Sequence, residues 1–127
     1  MTVLTLNALE ALDGIDDALI AAEEAGRPAE KFVAAHLAAL RVAAIALAGR
    51  PRRRGSLRQD GAPRSIWRVL PEVAPELGEW ATYFGALQLK KQAVQAGAVA
   101  LVTEREADDL VRGARAFRDL VVGSGHG

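Results

Sequence analysis

From Phe32 to Gly49 the chain runs for eighteen residues with His36 and Arg41 as its only polar side chains. Apolar residues recur there at three- and four-residue steps, which is the period of a helix and not of a strand. A helix that apolar must be covered, either by lipid or by other helices. The run is almost long enough to span a bilayer. An arginine near the membrane midplane costs about 3 kcal/mol on insertion scales, however, and eight of the eighteen residues are weakly hydrophobic alanines. The reading is therefore the central helix of a soluble bundle, with no membrane partner and a cytoplasmic location. Met1 to Glu10 carries no basic segment, so it is not expected to be a signal peptide.

The rest of the composition narrows the chemistry. There is no cysteine, which removes disulfides, thiolate metal sites and cysteine nucleophiles. Only His36 and His126 are available for acid–base work. Sixteen basic and sixteen acidic residues cancel, which excludes a uniformly basic nucleic-acid binder but not a local patch. The cancellation hides two blocks. Residues 1–30 hold seven acids and one base, Arg27, whereas residues 50–68 hold seven arginines and one acid, Asp60.

Along the 127 residues, the size of one domain, the spacing predicts an all-α, antiparallel bundle of four main helices and one short one, over residues 1–122. The first helix runs from Leu4 to Ala25, with Leu9, Leu12, Ile15, Leu19 and Ala22 on one face. Gly26 ends it, and Pro28 opens the second helix, which runs to Ala48 with Val33, Leu37, Leu40, Ala44 and Leu47 as its seam. Residues 50–63 read as a loop, and Arg64 to Leu70 as a short helix stopped near Pro71. A third long helix is expected from Ala74–Pro75 to Ala96, stopped by Gly97. Gly78 and Gly85 inside it suggest close approach by another backbone. Thr103 and Glu106 have capping-box spacing and open the last helix, which runs to Val122 with Ala107, Leu110, Ala114, Phe117 and Val121 as its stripe. Residues 123–127 read as a flexible tail.

Most catalytic templates fail. Gly123 to Gly127 is glycine-rich but no helix follows it to receive a phosphate, and there is no Walker pattern. No Glu precedes either histidine by three residues, as a di-iron bundle requires, and two histidines without cysteine argue against zinc. No cofactor or metal is implied. Ser56, Ser65 and Ser124 lie in no nucleophile-elbow context. His36 reads either as a core-edge histidine with one hydrogen bond or as an acid–base or nucleotide-contacting group. Arg41 points away from it and reads as an ion pair with an acid of a neighbouring helix. In the last helix, Asp108, Arg112, Arg115 and Asp119 fit a solvated face of intrahelical pairs. The arginines at 50, 52, 53, 54, 58, 64 and 68, with Trp67 among them, read either as a solvated loop balancing the acidic first helix or as a surface that contacts phosphate and stacks on a base.

Three stretches carry a family resemblance: FVAAHLAALRVAAIALAGR (Phe32–Arg50), APELGEWATYFGA (Ala74–Ala86) and READDLVRGARAFRDLV (Arg105–Val121). Together they resemble the small actinobacterial branch of the HEPN-type helical domains. The resemblance covers about residues 5 to 122 and implies a bundle of four to five helices, often dimeric. Members of the wider superfamily bind or cut RNA, or act as non-catalytic partners. Its ribonucleases carry an Arg followed by a His, with four to six residues between, on a late helix. This chain departs from that pattern. Arg118 and His126 are separated by seven residues, Arg112 and Arg115 have no following histidine at suitable spacing, and His36 precedes Arg41. No residue inherits a catalytic role.

The sequence thus points to a non-catalytic HEPN-like module, a homodimer, that binds RNA, a nucleotide or a protein partner through Arg50, Arg52, Arg53, Arg54, Arg58, Arg64, Trp67 and Arg68. His36, Arg41, Arg112 and Arg115 form a second candidate polar set. The rivals are a metal-independent ribonuclease with a rearranged Arg/His site, and a structural protein whose acidic first helix faces a neighbour's basic loop.

Overall fold

The computed structural model describes residues 3–50, 58–59, 62–63 and 65–123. Six α-helices account for most of them: α1 (Val3–Glu24), α2 (Pro28–Ala48), α3 (Ile66–Val73), α4 (Gly78–Ala86), α5 (Gln88–Gln95) and α6 (Glu104–Val122). The fold is all-α. The only strand pairing among the described residues is a two-residue antiparallel ladder, Arg58–Gln59 against Ala62–Pro63, within the stretch read as loop. The expected tail at 124–127 lies outside the described residues.

Local chemistry sets the helix ends. Arg27 is extended at φ −126° and hands the chain to Pro28, whose fixed φ suits a first turn and whose missing N–H is not needed there. At the other end the Gly49 N–H bonds the Ile45 carbonyl at 3.1 Å. The capping box of α6 is formed in full. The Thr103 hydroxyl accepts from the Glu106 N–H at 3.1 Å, and the Glu106 carboxylate accepts from the Thr103 N–H at 3.2 Å. Gly97 sits at φ +118°, a conformation that side chains with a Cβ rarely adopt, and it ends α5 as expected.

Two boundaries differ from the sequence reading. The short helix starts at Ser65, whose hydroxyl accepts from the Trp67 N–H at 3.3 Å, and it continues through Pro71 to Val73. A proline removes one N–H from the ladder but leaves its own carbonyl in place, so the helix survives for two further residues. The third long helix is a turn of 3-10 helix (Pro75–Leu77) followed by α4 and α5, with a break at Leu87. There the Leu87 N–H bonds the Phe84 carbonyl, three residues back instead of four, and the tightened turn separates the two pieces. Of the two glycines inside, Gly85 does meet a close neighbour, since a Cβ there would stand 3.1 Å from Trp67 Cβ. Nothing lies within 4 Å of a Cβ at Gly78.

Helix α2 is the centre of the bundle and packs against α1, α3, α5 and α6. Its seam is rotated from the expected one. Phe32, Ala35, Ala39, Val42, Ala43 and Ala46 are buried together with Leu47 of the expected seam, whereas Val33, Leu37 and Leu40 are half-buried and Ala44 is exposed. The small residues face inward because several neighbouring helices crowd that side, and only alanine lets their backbones approach. In α1, Ile15, Leu19 and Ala22 are buried as read, while Leu9 at the helix start is half-exposed. Half of the most apolar stretch of α2, the one described helix long and apolar enough to cross a membrane, is buried inside the bundle.

On the α3–α4 side, five of the chain's six aromatic residues cluster. Phe84 lies 5.3 Å from Trp67, 5.0 Å from Tyr83 and 5.2 Å from Phe117, ring centre to ring centre, and Trp80 stacks on Phe117 at 5.4 Å. These offset and edge contacts, with the burial of large rings, hold α3, α4 and α6 together.

Candidate functional site

His36 projects from the inward face of α2 and is completely buried. Its Nε2 lies 2.9 Å from the Phe84 carbonyl, and its ring meets Trp67 edge-on at 5.8 Å. A carbonyl only accepts, so Nε2 carries the proton and donates it. Nδ1 is then a bare lone pair, with no partner in the interior. Burial pulls the imidazole below its usual range. The bond to Phe84 opposes this, and the nearby Lys91 charge adds to it. A neutral ring held this way, with no route to solvent, is poorly placed to exchange a proton with an external substrate.

Lys91 is the residue that sequence reasoning missed. It is only 8% exposed, and burial lowers its ammonium below the usual lysine range. The signal was present: Leu87, Lys91 and Val94 occupy one helical stripe, and the lysine stands at a core position within it.

Arg41 stands on the opposite side of α2 from His36, exposed. Its Nη1 donates to the Gly14 carbonyl of α1 at 2.7 Å, so its partner is a main-chain oxygen and not the expected acid. Gly14 leaves the room. A Cβ there would lie 3.6 Å from that guanidinium nitrogen.

The arginines of α6 are tied mostly to other helices and not, as the spacing suggested, within their own. Only Arg112 pairs inside α6 to a residue one turn away, Asp109. Arg115 reaches Glu23 of α1 at 2.6 Å, and Asp108 receives Lys31 of α2 at 2.9 Å. Arg118, 17% exposed, holds Asp16 of α1, Asp119 and the Gly123 carbonyl. The Lys31–Asp108, Arg115–Glu23 and Arg118–Asp16 pairs bind α6 across the α1–α2 hairpin. His126 lies outside the described residues.

The arginine-rich stretch divides. Arg50 is engaged by Glu76, and Arg68 is exposed on α3. Trp67 is 5% exposed within the aromatic cluster, its indole N–H donating to the Gln88 amide oxygen at 3.4 Å, so it is not the base-stacking platform that its neighbours suggested. The ridge–groove fit of α3 onto Gly85 puts it there. Arg52, Arg53, Arg54 and Arg64, with the side chain of Arg58, lie outside the described residues. Beside α3 runs an open groove of about 610 Å³, with Leu40, Ala44 and Ile66 as its apolar floor and Arg41, Gln88 and Gln92 at its edge. Among the described residues no group of three metal-ligating side chains comes together.

A helical bundle built on a buried apolar hairpin, with polar groups tied pairwise across helices, defines a small all-α domain. Residues 22–122 match a model of a HEPN-like domain family, and the chain belongs to that family. No curated protein and no solved structure matches it.

Proposed function

We propose that this protein is a non-catalytic, homodimeric HEPN-like module that binds single-stranded RNA through the phosphate backbone, using the arginines between positions 50 and 68. The observation that carries the reading is a contrast in charge. On the described bundle, Arg112, Arg115 and Arg118 each have a carboxylate partner. Between positions 50 and 68 there are seven arginines to one acid, and of the two with described side chains Arg50 pairs with Glu76 while Arg68 is exposed. A local excess of arginine attracts polyanions by releasing condensed counterions, a term independent of sequence. With Trp67 buried, base stacking by that residue drops out and phosphate contact is what remains. The non-catalytic part of the reading is supported by His36, which has no exposed surface.

The test is anisotropy of a labelled single-stranded RNA titrated with protein at several salt concentrations. Replacing Arg52, Arg53 and Arg54 by alanine should weaken binding and lower the log–log salt slope by about 2, at roughly 0.7 for each phosphate no longer neutralised. An unchanged slope would remove the stretch from the interface. No binding at low salt would overturn the RNA reading and leave a nucleotide or a protein as the ligand to seek.

A further inference from the structure

We infer that the Lys91 amine is an acylation site of the folded protein, and that it takes its acyl group from a small acyl phosphate. The site is separate from the arginines of the RNA reading and depends on neither that reading nor a dimer.

The chain has three lysines, and two of them are engaged. Lys31 holds Asp108 at 2.9 Å, and Lys90 holds Glu106. An amine tied into an ion pair must leave its partner before it can attack an electrophile. Lys91 follows Lys90 in sequence but lies about 100° further around α5, between the buried side chains of that helix. It is only 8% exposed. There α5 packs against α2, from which His36 comes close enough to sense the lysine's charge. No carboxylate comes near enough to offset the burial, which draws the amine towards its neutral, nucleophilic form.

An amine hidden entirely could not react. Among the described residues, however, His36 Nδ1 is the one unpartnered side-chain nitrogen or oxygen cut off from water. The Lys91 amine has no acceptor either, so it still reaches solvent. Its carbon stem is covered and its nitrogen is at the surface, as befits a long side chain at a core edge. Around α5, Lys91 lies between the buried stripe and Gln88 and Gln92, which edge the groove of about 610 Å³ beside α3. Arg41 is the one charged residue lining that groove, and no carboxylate lines it. A donor with an anionic leaving group is the kind that such a surface draws in.

The step is an acyl transfer. The lone pair on Nζ attacks the acyl carbon and the C–N bond forms. The C–O bond to phosphate breaks, its electron pair leaves with the phosphate, and the nitrogen sheds one proton to water. The resulting amide is uncharged, so acylation removes an ammonium that the fold leaves without a counter-ion.

The experiment treats the folded full chain with acetyl phosphate near neutral pH and follows Lys31, Lys90 and Lys91 by tandem mass spectrometry of peptides. Lys91 should acquire the acetyl group about tenfold faster than the other two, and the three rates should converge in urea. Equal or slower reaction at Lys91 in the folded chain would overturn the site, and so would a ratio that survives unfolding. Acetic anhydride, which carries no phosphate, separates the donor from the amine. Arg41→Ala should lower the reactivity of Lys91 towards acetyl phosphate, relative to the anhydride, by about threefold. An unchanged ratio would overturn the choice of acyl phosphate as donor.

Discussion

Alanine lines both long faces of α2, and the two faces do opposite things. Inward, Ala35, Ala38, Ala39 and Ala43 have no exposed surface, because α1, α3, α5 and α6 press against that side. Outward, Ala44 and Ala48 are exposed and the face carries a single arginine. The inward alanines are small so that backbones can come together, and the outward ones border an open groove. Hydrophobicity along the helix cannot separate these cases, since neighbours decide which face is which. A residue type that is neutral to sequence patterning is thus the most sensitive probe of packing.

The difference can be broken deliberately. The largest effect should come from the aromatic cluster that meets the inward face. Phe84→Ala empties the site contacting His36, Trp67 and Phe117, and should cost about 3–5 kcal/mol in urea unfolding. A loss below 1 kcal/mol would mean the cluster collapses around the gap. Next, one added isopropyl group should separate the two faces. Ala39→Leu is expected to destabilise by about 1–3 kcal/mol through overpacking. Ala48→Leu, measured at concentrations where the chain is monomeric, should stay within about 0.5 kcal/mol. Equal effects would erase the distinction between faces.

A third effect depends on pH. His36 is held below its ordinary value of 6.5 in the fold, whereas the unfolded chain titrates near that value. The unfolded state therefore binds more protons in the window between the depressed folded value and 6.5. Stability should be level above pH 7 and decline as pH falls below 6.5, at no more than about 1.4 kcal/mol per pH unit from this one group. His36→Leu should flatten that limb in denaturant titrations across pH 5–8. A limb of unchanged slope would assign the acid sensitivity to carboxylates instead. The smallest effect belongs to the outward face. Arg41→Ala removes an exposed hydrogen bond to the Gly14 carbonyl and should cost about 0.5–1 kcal/mol in the monomer. A cost of several kcal/mol would show that this hydrogen bond holds the hairpin closed.

Much of the fold was legible because it depends on local chemistry. Pro28 and Gly49 bound α2, Gly97 ends α5 at a positive φ, and Thr103 with Glu106 caps α6, each through atoms a few residues apart. The break at Leu87 was not legible, since Gly85 two residues before it reads as a close-packing site and only hydrogen-bond geometry within the packed bundle shows the break. The rotation of the α2 seam was missed for a related reason. Scoring by size favours Leu37 and Leu40 over Ala35 and Ala39, but the crowded side is the one that needs small residues. At the candidate site, Trp67 looked like part of a basic surface because its sequence neighbours are arginines. Its burial is decided by residues 85, 88 and 117, far along the chain.

The sequence by itself determined that this chain is helical, where most helices start and stop, and that its positive charge gathers between positions 50 and 68. Those are properties of adjacent residues: dihedral preference, capping groups and charge per unit length. The tertiary structure decided which face of α2 is buried and that His36 is a neutral core residue. It also assigned Arg115 and Arg118 of α6 to Glu23 and Asp16 of another helix. Burial, ion pairing and the protonation of an imidazole depend on atoms brought close from distant positions, and only folding supplies those distances.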